Sequence, residues 1–131
     1  MKHVAVTPVV TSSDSATLAI VSTAVVYTKS FKLNKSDSFG VGYIAESDGT
    51  VALLIELQQS HQEPASEGID DTYYVEGTSV SDIETALAVE TYKIANLSPI
   101  TAPYGRFKIT GGATNDASTK LRMWLMHQED F

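Results

Sequence analysis

Residues 38–60 read SFGVGYIAESDGTVALLIELQQS, and their pattern decides the class of fold. Phe39, Val41, Tyr43 and Ala45 recur at every second position, the period that lines one face of a β-strand. Gly40 and Gly42 fall on the other face, where close approach of another backbone or a bulge is expected. Ser47-Asp48-Gly49 signals a tight turn, because Asp-Gly supplies the positive φ angles of a short loop. Residues 50–60 return as a longer strand. Their apolar run would also suit a helix, but the β-branched residues and the preceding turn favour strand. Read locally, the stretch is a β-hairpin.

The same period extends outward in both directions. Residues 3–7 alternate until Pro8, which removes a ladder donor and places this strand at a sheet edge. Residues 17–22 and 24–29 read as two extended segments or as one long bent strand, and Phe31 and Leu33 continue on one face. Toward the C-terminus, residues 91–97 (TYKIANL) put Tyr92, Ile94 and Asn96 on one face. The following SPITAP, residues 98–103, cannot be a central strand and reads as a corner between sheets. Residues 104–110 (YGRFKIT) and 120–127 (KLRMWLMH) read as a second hairpin with a long tip. Between these regions the pattern dissolves over residues 61–78, with a short extended piece at Tyr73-Tyr74-Val75. Ser81-Asp82-Ile83-Glu84 then has capping-box form, the signature of a short helix, although a polar loop fits almost as well.

Val, Ile and Thr supply about a quarter of the 131 residues, and β-branched side chains fit a pleated surface better than a helix. The chain therefore reads as one all-β domain spanning residues 1–131. A β-sandwich or jelly-roll of about eight strands is expected, with at most one short helix. Residues 1–12 read as an extended N-terminal arm.

Charge is uneven along the chain. The formal net charge is −7, and residues 46–90 hold eleven carboxylates with no Lys or Arg, while the segments on either side each sum to +2. An acidic balance disfavours binding to a phosphate backbone, so no nucleic-acid partner is expected. The plain reading of the acidic segment is a solvated loop that aids solubility. A sharper one is a surface that meets basic patches on neighbouring copies or on a partner lattice. No apolar run approaches the length of a membrane span, and the N-terminus lacks the form of a secretory signal, so synthesis in a cytoplasm without membrane attachment is expected.

Chemistry-bearing patterns are sparse. There is no cysteine, which excludes disulfides and thiolate sites. Glu63, Glu67, Asp70 and Asp71 could offer oxygens to Ca²⁺, but they lack the spacing of a known calcium loop and read first as a solvated acidic loop. His3, His61 and His127 lack the i, i+4 pairing of a zinc helix. Gly111-Gly112 has no downstream Gly-Lys-Ser/Thr and precedes a strand, so it is not a phosphate loop. Nothing resembles a nucleophile elbow. No cofactor and no enzymatic activity are expected. The two arginines, Arg106 and Arg122, could hold carboxylates across an interface if they share a face; the plainer alternative is an intramolecular ion pair or a solvated face. Tyr73, Tyr74 and Trp124 could form a platform for sugar stacking, against a plainer reading as core or interface residues.

The C-terminal stretch APYGRFKITGG with its short Asn-Asp loop and amphipathic final strand resembles small virion proteins of tailed bacteriophages. Residues 38–46 and 51–60, joined by Ser-Asp-Gly, are similar to the same group. The likeness covers about half the chain and rests on β-hairpin motifs. It implies a β-sandwich or jelly-roll structural protein of the virion, assembled in the host cytoplasm, which decorates or cements a capsid or belongs to a head fibre or tail. It further implies a homo-oligomer, a trimer being favoured, that contacts the major capsid protein or another virion protein. On this reading the interface would draw on Val4, Val6 and Val9 of the arm, on Arg106 and Arg122, and on Phe131 at the C-terminus. A carbohydrate-binding or adhesin module is the competing expectation.

Overall fold

The computed structural model describes residues 2–9, 17–32, 39–46, 53–61, 75–76, 82–84, 92–97, 103–113, 115 and 118–130. Its strands are β1 (Lys2–Pro8), β2 (Thr17–Ala19), β3 (Val25–Tyr27), β4 (Phe31–Lys32), β5 (Phe39–Glu46), β6 (Leu53–Ser60), β7 (Val75–Glu76), β8 (Asp82–Glu84), β9 (Lys93–Asn96), β10 (Tyr104–Gly111) and β11 (Lys120–Asp130). No helix occurs among the described residues. Asp82–Glu84 of the capping-box stretch is instead β8, paired with β6 at Ile55 and Glu56. A capping signal needs an apolar helical face behind it, and here the neighbouring strand offers a ladder instead.

All pairings are antiparallel, and they form two sheets. In the first, β11 is flanked on one side by β5 and on the other by β1 and β2, which take successive stretches of it. β9 closes the far edge against β5. In the second, β10 is flanked by β6 on one side and by β3 and β4 on the other. β7 and β8 likewise share the far side of β6. Eleven segments thus fill eight strand positions. Numbered along the chain, position 1 pairs with 8, 2 with 7, 3 with 6 and 4 with 5. That nesting, rolled into two sheets ordered 1-8-3-6 and 2-7-4-5, is a jelly roll.

The nesting corrects both expected hairpins. β5 lies in the first sheet and β6 in the second, so the Ser-Asp-Gly segment joins the sheets and does not fold one strand onto the next. β10 and β11 are likewise in opposite sheets. Both members of each pair bury their alternate residues from opposite sides of one core: Val41, Tyr43 and Ala45 of β5 face Ile55 and Leu57 of β6, with Phe107, Ile109, Leu121 and Met123 between the same layers. Each of these side chains larger than alanine contributes on the order of 1.5–3 kcal/mol by leaving water.

Two details hold the edges. Between β3 and β4 the ladder is interrupted at Thr28, whose Oγ1 accepts a hydrogen bond from the Phe107 N–H at 2.8 Å while its own N–H donates to the Phe107 carbonyl at 3.0 Å. At one end of the sandwich the chain turns from β2 to β3 through Val21–Ala24, closed by the Ala24 N–H donating to the Val21 carbonyl at 3.2 Å, with Ser22 at φ 52°. This turn separates the two segments, which are not one bent strand. It lies against Gly111, whose N–H donates to the Ala24 carbonyl at 2.9 Å.

Candidate functional site

The first sheet has one face in the core and one outside. Along β11, Leu121, Met123 and Leu125 are buried, so Trp124 and Met126 point outward and are partly exposed. Strand register aligns them in two cross-strand rows. One runs Val6, Met126, Gly40, Asn96; the other runs Pro8, Trp124, Gly42, Ile94. Ile44 stands one step further along β5 and is also partly exposed. Val6 is 58% exposed, Tyr92 52% and Ile94 66%. Three of the five large hydrophobic side chains most exposed among the described residues therefore stand on this face.

The glycines shape it. A Cβ on Gly42 would collide with the Tyr92 hydroxyl and lie 3.1 Å from Tyr92 Cζ, so the absence of a side chain lets that ring lie across β5. The ring thereby meets Trp124 with centroids 6.0 Å apart and planes at 51°. At Gly40 the close approach is backbone, with the Ala95 carbonyl oxygen 3.3 Å from where a Cβ would sit. At one end the face is bounded by Arg122 and Glu46, an ion pair at 3.6 Å with both side chains about half exposed. The centre is apolar, and Lys120 stands exposed beside the ion pair, opposite Glu46.

The two arginines do not share a face, because their strands belong to opposite sheets. Arg106 is a correction to the expected interface: it is 1% exposed. Its Nε donates to Gln58 Oε1 at 2.8 Å, and its guanidinium lies 4.2 Å from the centre of the Tyr27 ring. A planar guanidinium can be stacked and forked at once, and that suits it to burial. Val9 is a second correction, since it is buried in the core with its N–H donating to the Met123 carbonyl at 2.9 Å. Residues Lys2–Pro8, read as part of an extended arm, pair along their whole length with the chain's own β11. Val4 sits in that ladder opposite Gln128. Val6 and Arg122 are exposed as expected, the latter in the intramolecular pair. Tyr73, Tyr74, Phe131, Glu63, Glu67, Asp70 and Asp71 lie outside the described residues.

Tyr92 and Ile94 were legible as face-sharing, but that face is the solvent side of an edge strand and not the core. The signal available was the short strand length before a Pro-containing corner, which marks an edge. His3 and His127 lie in the β1–β11 ladder and His61 at the end of β6, in the other sheet. Among the described residues no group of three or more His, Asp or Glu is placed to hold a metal ion. Gly111 serves the corner beneath Ser22. A small cleft of about 170 Å³ opens between the sheets where β1 ends, floored by Val9, Phe31 and Leu125 and edged by Pro8 and Lys29. Thr7 and Ser30 complete its lining. No protein-family model and no curated protein matches the chain.

Proposed function

We propose that the chain is a non-enzymatic structural protein of a phage virion, which binds and stabilises a capsid through self-association and lattice contacts. The observation that carries this reading is the apolar outer face of the first sheet, where Val6, Tyr92 and Ile94 are each more than half exposed. Soluble monomers rarely leave a contiguous apolar face open unless something docks there. The jelly-roll order supports the reading by analogy, because capsid proteins share it, though lectins do as well. The partners on this reading are further copies of the chain and the major capsid protein.

A second reading has its own observation. The Tyr92–Trp124 pair stands partly exposed on the same face, and aromatic rings of this kind stack on sugars, as in a carbohydrate-binding module. The two readings separate in one pair of assays. Saturable co-sedimentation with shells of the phage's major capsid protein, accompanied by a higher shell melting temperature, supports decoration. Saturable glycan binding by the isolated protein, abolished by Trp124→Ala and without any binding to shells, would replace it.

A further inference from the structure

The apolar face needs an occupant, and we infer that a second copy of this chain covers it, first sheet against first sheet across a two-fold axis. The inference rests on the self-association in the function proposed above and names the surface that performs it. It differs from the trimer implied by the phage resemblance.

The sheet edges are protected where the face is not. β1 ends at Pro8, which has no N–H to offer a further strand, and carries Lys2 at its other end. On β9, Lys93 lies on the core-facing row, opposite buried Tyr43 and alternating with exposed Tyr92 and Ile94. Prolines and inward-pointing charges on edge strands are devices against strand addition. No such device interrupts the rows from Val6 to Met126 and from Trp124 to Ile94. Contact is therefore favoured through the face.

Charge distribution favours one face for contact between copies. The chain carries −7, and like-charged copies repel unless their acidic parts are held apart. Of the described residues in the acidic segment, Glu56, Glu76, Asp82 and Glu84 stand on β6, β7 and β8 of the second sheet, while Glu129 and Asp130 stand at the far end of β11 in the first. Glu46, at the rim of the first, is paired with Arg122. Apposing the first sheets keeps the four carboxylates of β6, β7 and β8 on the side away from the contact.

Size agrees. An isologous contact must be self-complementary, and the space over Gly40 and Gly42 is filled by the Met126 methyl and the Tyr92 ring, which leaves an apolar surface. Strands β1, β11, β5 and β9, of 7, 11, 8 and 4 residues, lie about 4.8 Å apart and rise about 3.4 Å per residue, so they cover roughly 500 Å² per copy. The total of about 1,000 Å² is at the lower bound for a specific interface. The dimer is accordingly reversible and concentration-dependent.

Sedimentation velocity on the full chain across the micromolar range tests this, with the emission of Trp124, the only tryptophan, as a local reporter. The expected result is a monomer–dimer equilibrium in which Trp124 emission shifts to the blue on association. Added salt should tighten it by screening the net charge. Ile94→Lys should weaken it by about tenfold or more, as loss of a central apolar anchor does. Because that change makes the chain less acidic, added repulsion cannot account for the loss. Val25→Lys, on the exposed side of the second sheet, should leave it unchanged. A monomer at every concentration, a trimer, an equilibrium indifferent to Ile94→Lys, or one weakened by salt would each overturn the inference. A monomer that still binds capsid shells would overturn it while leaving the virion role standing; a dimer that binds no shell would do the reverse.

Discussion

Gly42 and Gly111 both sit in strands and neither has a left-handed φ, so replacing each with alanine tests space alone. At Gly111 the new Cβ would run into the Ser22 carbonyl oxygen and lie 2.9 Å from Ile20 Cγ2 and 3.0 Å from Asn115 Nδ2. The first obstacle is backbone, in a turn tied down by the Ala24–Val21 and Ser22–Asn115 hydrogen bonds. Relief requires the β2–β3 turn to lift, which strains a packed region by about 1–3 kcal/mol. It also weakens the Gly111–Ala24 hydrogen bond, worth about 1 kcal/mol. A loss of about 3 kcal/mol is expected for Gly111→Ala. At Gly42 the obstacle is the far end of the Tyr92 side chain, which is half exposed and can swing away. The lost ring contact with Trp124 is partly offset by the reduced freedom of the unfolded chain, so Gly42→Ala should cost no more than about 1 kcal/mol. Equilibrium urea unfolding of both variants, followed by circular dichroism at low protein concentration, measures the difference. Equal losses, or a larger loss at Gly42, would refute the reasoning.

Thr28→Val keeps the shape of the side chain but removes the acceptor for the Phe107 N–H; a loss of about 1–3 kcal/mol is expected, with Thr28→Ser closer to the parent, both read by the same unfolding curves. Arg106→Lys should cost about 2 kcal/mol, because an ammonium reproduces neither the Nε–Gln58 bond nor the stacking on Tyr27; no change in the urea midpoint would show that this buried cluster is not structural. Arg122→Ala, by contrast, breaks an exposed pair and should move stability by no more than about 0.5 kcal/mol at moderate salt.

Much of the architecture was readable before any coordinates. Strand positions at Phe39–Glu46, Leu53–Ser60, Tyr104–Gly111 and within Lys120–Asp130 follow from alternation, since local sterics and one-sided burial write themselves at period two. Pro8 correctly marked an edge. Pairing was not readable. The Ser-Asp-Gly turn predicted a hairpin, but a strand that buries one face looks the same whether its neighbour lies beside it or across the core. The candidate surface was only half legible for the same reason: Tyr92 and Ile94 share a face, yet periodicity does not say which face meets solvent. Arg106 was misread because its burial depends on Tyr27 and Gln58, residues 79 and 48 positions away along the chain.

By itself the sequence determined an all-β chain, the places where strands begin and turn, the −7 charge and its concentration in one segment. These are properties of neighbouring residues, and local stereochemistry or simple composition sets them. Tertiary structure alone decided the 1-8, 2-7, 3-6, 4-5 nesting, the burial of Arg106 and Val9, and the open apolar face that places Val6, Trp124 and Ile94 together. Those depend on contacts between residues far apart in the chain, where the gain comes from closing a common core and no local signal records which strand will arrive to close it.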